Sequence, residues 1–177
     1  MFFVPALTVF AAPKGGFGVS AGYSQHQVSG TMGEKIGGTS FDVNETTTGF
    51  GLQLDYESVF SDSFSLNYFL GSASENNDLL GSSAFVNFGV QGRYWMDDIF
   101  AGGLVGFQSP TVANLDTTTS GVVFGVTGGW SHESGVFVTG AYTMSTTFAQ
   151  SQGVFPAPTY EGDLAVTGLS ILGGYRF

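Results

Sequence analysis

Eight segments of this chain alternate apolar and polar residues with a period of two, and no stretch of useful length carries a helical period. Such alternation marks β-strands whose two faces meet different surroundings. Phe17, Val19, Ala21 and Tyr23 alternate with Gly18, Ser20, Gly22 and Ser24. Phe50, Leu52, Leu54 and Tyr56 oppose Gly51, Gln53, Asp55 and Glu57, and Phe64, Leu66, Tyr68 and Leu70 oppose Ser65, Asn67, Phe69 and Gly71. Val86, Phe88, Val90 and Tyr94 share a parity, as do Val122, Phe124, Val126 and Trp130. Val136, Val138, Tyr142 and Met144 form another set, and Leu169, Ile171, Tyr175 and Phe177 the last. From Phe100 to Phe107 both parities hold apolar residues and glycines, which leaves the register of that strand open. The strands are expected at 16–25, 47–58, 62–72, 83–95, 99–108, 119–131, 135–146 and 164–177.

The connections alternate in kind. Short ones contain Ser61-Asp62, Met96-Asp97-Asp98 and His132-Glu133-Ser134-Gly135. Long polar ones are expected over 26–46, 73–82, 109–118 and 147–163. Short turns at one end and long loops at the other, with an even strand number, belong to a barrel that crosses an outer membrane with its short turns in the periplasm. Both chain ends then lie on the periplasmic side.

Which face points outward follows from composition. Only 10% of residues are charged, against about 25% in an ordinary soluble domain. A soluble eight-stranded barrel would turn its polar face to water. Here that face is mostly Gly, Ser, Thr, Asn and Gln, a poor soluble exterior and a good filling for a narrow lumen. The apolar face carries aromatics near the short turns, among them Phe17, Tyr56, Phe64, Tyr94 and Trp130, as an interfacial girdle would. The fold class is therefore all-β: an eight-stranded antiparallel up-and-down transmembrane β-barrel over 15–177. Residues 1–14 hold an apolar run, Phe2 to Ala12, too short for a spanning helix and similar to a signal-peptide remnant or an N-terminal extension.

The C-terminal residues Ser170-Ile171-Leu172-Gly173-Gly174-Tyr175-Arg176-Phe177 resemble the terminal assembly signal of bacterial outer-membrane barrels. Ser170, Tyr175 and Phe177 match it, while Leu172 stands where that signal has glycine. The segment from Gly15 to Phe177 is similar to the small OmpA- and OmpX-type barrels of Gram-negative bacteria. The resemblance implies recognition by periplasmic chaperones and the barrel assembly machinery, a surrounding of outer-membrane lipid, and no particular activity.

Four charged residues, Asp55, Glu57, Arg93 and Arg176, share the inward parity and lie toward the short-turn end. Buried charges require partners, so they are expected to form a lumen ion-pair cluster, either a static plug or a gate. The other acids, Asp42, Glu45, Glu75, Asp78, Asp116, Glu161 and Asp163, read as solvated loop residues. His132-Glu133-Ser134 is reminiscent of barrel-type lipid A deacylases, but it lacks the Asn that follows the Ser there and falls in a periplasmic turn. His26 opens the first long loop with nothing beside it in sequence that makes a metal site. With no cysteine and a formal net charge of −10, neither a thiolate metal site nor nucleic acid fits.

No catalytic residue, metal or cofactor is expected. The functional readings are a structural or surface-interacting barrel whose long loops are available to a partner outside, a narrow pore for water, ions or small solutes, and, less favoured, a lipid-modifying enzyme. The chain is expected to act as a monomer.

Overall fold

The computed structural model describes residues 15–35, 37–77, 81–112, 117–118, 120–152 and 159–177. The segment 1–14, Asp78, Asp116 and residues 153–158 lie outside the described residues. The strands are β1 Gly16–Glu34, β2 Ser40–Ser61, β3 Phe64–Asn77, β4 Gly81–Met96, β5 Ile99–Val112, β6 Thr117–Thr118, β7 Gly121–Ser131, β8 Val136–Gln152 and β9 Thr159–Arg176. All pairings are antiparallel; each long strand pairs with the next long strand along the chain, and β9 also pairs with β1. Eight long strands thus close on themselves. The two-residue β6 is an accessory that pairs with β8.

The register fixes the shape. Following paired residues from Gly18 through Asp55, Phe69, Gly89, Gly106, Val123, Ser145 and Val166 returns to β1 at Val28, ten residues above the start. A stagger of this size goes with strands tilted by about 40° and a lumen that side chains fill. Closure leaves no ladder edge along the height shared by all eight strands.

The apolar stripe faces outward. Leu52, Leu54 and Phe88 are 51%, 58% and 54% exposed, whereas Gln91 is 3% exposed and faces the lumen. The soluble-barrel arrangement is thereby excluded. Along β2 the outward apolar residues run from Phe50 to Phe60. At about 3.3 Å per residue and this tilt they span about 25 Å, the height of an outer-membrane belt. The open register of β5 resolves as well: Phe100 and Leu104 point inward and are buried, while Val105 and Phe107 point outward.

Several strands are longer than the alternation suggested. The stretches 26–46 and 147–163, expected to be loops, are largely strand: β1 and β2 stay paired up to Gly33 and Ser40, and β8 and β9 up to Gln152 and Thr159. The 73–82 and 109–118 connections shrink in the same way. The cause is a change in what the outward face meets. After Tyr23 on β1 it turns to Gln25, Gln27 and Thr31, and before Phe50 on β2 it reads Asp42, Asn44, Thr46 and Thr48. Meanwhile Val28 and Met32 turn inward and are buried. Polar-out and apolar-in replaces the reverse, so the hydrophobic stripe changes parity within one strand.

The opposite end is tight. Asp97-Asp98 joins β4 to β5 directly beyond the Met96–Ile99 pair, and Asp97 is the only non-glycine described with a left-handed φ, 59°. Aspartate tolerates that region and a β-branched residue does not. Asp97→Val is therefore expected to lower the unfolding free energy by about 1–2 kcal/mol, with Asp97→Asn close to wild type, as read from denaturant midpoints in lipid.

Candidate functional site

The closed wall leaves the lumen as the place where unusual chemistry collects, and it is layered. The lowest layer unites the four charged residues singled out in the sequence. Asp55 and Glu57 project from β2, Arg93 from β4 and Arg176 from β9, each at most 4% exposed. Glu57 Oε2 accepts from Arg93 Nη1 at 2.5 Å and from Arg176 Nη1 at 2.9 Å. Asp55 Oδ1 accepts from Arg176 Nη2 at 2.8 Å and from Asn67 Nδ2 at 2.9 Å. Ser65 Oγ donates to Glu57 Oε1 and accepts from Trp95 Nε1 at 2.7 Å. Gln91 Oε1 takes Arg93 Nη2 at 2.7 Å.

Register explains how charges on separated strands meet. Gly18 of β1 pairs with Asp55 on one side and Arg176 on the other. A β-carbon there would lie 2.8 Å from Asp55 Oδ1, so the missing side chain lets the carboxylate reach across β1 to the guanidinium. Each guanidinium also covers a ring: Arg93 lies 4.4 Å from the Phe100 centroid and Arg176 4.9 Å from that of Phe137. Two positive and two negative charges balance in a buried space, and cation–π contact adds to the pairing.

A second polar layer lies higher and was not anticipated. His26 and Glu75, expected in solvated loops, are buried on β1 and β3 inside the barrel. Glu75 Oε1 accepts from His26 Nδ1 at 2.8 Å, and Glu75 Oε2 accepts from Thr47 Oγ1 at 2.5 Å. His26 Nε2 lies 3.1 Å from Gln108 Nε2, and Gln108 Oε1 accepts from Ser145 Oγ at 2.7 Å. This pattern suits an imidazole whose proton sits on Nδ1 and whose Nε2 accepts. The ring stacks on Phe85, centroids 4.0 Å apart. One network thus ties β1, β2, β3, β5 and β8 together. The signal was present in the inward parity of Ser20, Ser24 and His26, but the outward face had by then turned polar and hid it.

Above this layer Val28, Met32, Phe85, Ala149, Leu164 and Val166 form a buried apolar cluster. Between the two polar layers lies a cavity of about 50 Å³ whose lining includes Ser24, His26, Gln53, Asn87, Phe69 and Leu104.

The outer features are placed as follows. Phe17, Tyr56, Phe64, Tyr94 and Trp130 are all outward and exposed, with the Phe17 and Tyr56 rings 4.9 Å apart. Tyr175 and Phe177 are outward too, their rings 5.3 Å apart, and Phe177 N–H donates to Phe17 O at 2.8 Å. Ser170 lines the cavity instead. His132 Nδ1 and Ser134 Oγ are 2.9 Å apart, exposed on the β7–β8 turn. A nucleophilic serine needs a base that a third group holds in place, and a solvated turn does not supply that setting. Among the described residues no group of three or more His, Cys, Asp and Glu side chains could hold a metal.

No family model matches the chain, and no curated protein matches it. Solved structures do. OprG from Pseudomonas aeruginosa superposes with a TM-score of 0.57 at 13% identity, covering 92% of this chain and 96% of that one. Ail, the attachment invasion locus protein of Yersinia pestis, in complex with the heparin analogue sucrose octasulfate, gives 0.56 at 15% identity over 93% and 100%. AlkL in DMPC bilayers gives 0.57 at 15% identity over 100% and 96%. The fold is that of the small bacterial outer-membrane barrels.

The charge layer makes a quantitative prediction. Glu57→Gln leaves two buried guanidiniums facing one carboxylate and is expected to destabilise the barrel by about 3–5 kcal/mol. The charge-balanced pair Glu57→Leu with Arg93→Met should lose much less than the sum of its single changes. A double-mutant cycle on unfolding midpoints measures both.

Proposed function

We propose that this chain is a closed, non-enzymatic barrel of the bacterial outer membrane that holds a tall polar rim outside the cell for contact with a partner. The observation that carries the reading is the filled lumen. A balanced ion-pair layer with aromatic lids occupies the turn end, and an apolar cluster occupies the other. A water or ion path would have to pass both.

The rim is built from four strands. β2 rises eight residues beyond its last pair with β3, Thr48–Asn76, to reach Ser40. β8 likewise runs on past its Val123–Ser145 pair with β7 to Gln152. The outward side of this wall carries Thr31, Asp42, Asn44, Glu161 and Asp163, and Lys35 Nζ lies 3.4 Å from Glu161 Oε2. Such a surface belongs in water, above the lipid. The short turns and both ends then face the periplasm, with Phe17, Tyr56, Phe64, Tyr94 and Trp130 at the inner headgroup level. Tyr175 and Phe177, outward at the end of the closing strand, are positioned to be read by the assembly machinery before the barrel closes.

The Yersinia barrel was captured with a sulfated heparin analogue. A formal charge of −10 argues against a polyanion as the partner here. A neutral or cationic surface suits this rim better.

Planar-bilayer recordings of the refolded protein are expected to stay at baseline. Discrete conductance steps would put the narrow-pore reading in place of this one. In the same preparation Leu54→Arg should cost about 2–4 kcal/mol of folding stability in lipid, as a charge facing acyl chains does. A negligible change would mean that this face does not meet the bilayer core.

A further inference from the structure

The seam at which the barrel closes, β1 against β9, is tied from the inside in a way that the β2–β3 junction is not. Between β2 and β3, side chains of adjacent strands bond directly: Asn67 Nδ2 donates to Asp55 and Glu57, and Ser65 Oγ donates to Glu57. At the same level of the seam β1 presents Gly18, paired with Arg176 of β9. The connection therefore skips a strand. Arg176 reaches over Gly18 and donates to both carboxylates of β2, Asp55 and Glu57. Behind it the Phe137 ring, from β8, fills the space that Gly174 leaves on β9, where a β-carbon would lie 2.6 Å from the ring Cζ. The Arg176 guanidinium rests on that ring. Two side chains crossing two glycines thus tie β8, β9, β1 and β2 together. The backbone beside them is pinned as well, with Arg176 N–H donating to Gly135 O and Phe177 N–H to Phe17 O, each at 2.8 Å.

Charge gives this clasp a direction. Without β9 the layer holds Asp55 and Glu57 against Arg93, two negative charges and one positive. A buried carboxylate left without its partner is costly. The neutralising guanidinium stands next to the end of the chain, on the strand that closes the ring. The layer is balanced only in the closed barrel, and parting β1 from β9 separates ion pairs as well as a ladder.

We propose that Arg176 is a seam latch: with Gly18 and Phe137 it locks β1 to β9 selectively, so that the wall resists opening sideways at its closure. Arg93 carries the same charge in the same layer, but it joins β4 to β2 across β3. Those strands stay together when the seam parts.

The latch is independent of the surface-contact reading, because Arg176 lies buried at the opposite end from the rim. Amide hydrogen exchange of the refolded protein in lipid nanodiscs, followed residue by residue, tests it. Arg176→Met should speed exchange of the amides bridging β1 and β9 between Gly18 and Ser24 by at least about tenfold relative to those bridging β3 and β4. Arg93→Met should show no such preference for the seam. Gly18→Ala keeps every charge and sets a methyl group 2.8 Å from Asp55 Oδ1, so it should reproduce the seam preference to a lesser degree. The proposal is overturned if Arg176→Met speeds both sets alike or neither, or if Arg93→Met favours the seam as strongly. It is overturned equally if Gly18→Ala leaves the two sets in their wild-type ratio, and that comparison decides alone should Arg176→Met not refold.

Discussion

Hydrocarbon offers a backbone no hydrogen bonds, and the organisation of this chain answers to that fact. Closing eight strands satisfies the ladder internally. Once closed, the wall must be apolar outside, and whatever is polar has to be accommodated within. The rule holds only as high as the lipid reaches. Beyond Tyr23 and Phe50 the outside turns polar, and the inside acquires Val28, Met32, Leu164 and Val166 as a conventional core. One strand thus obeys two opposite sidedness rules along its length, and the switch marks the level at which the solvent changes.

Inside the belt the same constraint governs charge. Asp55, Glu57, Arg93 and Arg176 could not persist singly in a narrow lumen. They persist as a balanced set because a stagger of ten residues, counted from Gly18 to Val28, brings β2, β4 and β9 to one level. Glycine contributes by subtraction, since Gly18 gives the Asp55 carboxylate its passage across β1. The His26–Glu75 layer likewise gives its buried carboxylate a ring N–H as partner, an imidazole standing where the lower layer has a guanidinium. Lumen polarity here is an architectural matter of pairing and spacing.

This explains what could be read from the sequence. Within the belt the contrast between Leu52 or Phe88 and Gln53 or Gln91 is strong, so strand identity and sidedness were legible. The ion-pair layer was legible because four charges stood out against small polar neighbours of the same parity. Above the belt the contrast fades. In Gln25-His26-Gln27-Val28 the outward residues are polar and the inward ones mixed, so a period-two reading finds neither stripe. The alternation alone therefore puts His26 and Glu75 in loops, although the strands continue through them. Bonds such as Glu75 to Thr47 depend on a register that no local pattern encodes.

The same reasoning explains why the shape says little about the task. OprG and Ail share this architecture at 13% and 15% identity. Such divergence is tolerable because the belt needs only greasy side chains and the lumen only small or mutually paired ones, demands that many sequences meet. The rim has no such obligation. Above the lipid, the outward residues of β1, β2, β8 and β9 contribute neither to the belt nor to the filled lumen. Residues such as Asp42, Asn44 and Asp163 can change without disturbing either layer beneath them, so the rim is the part of the molecule whose sequence the barrel itself constrains least.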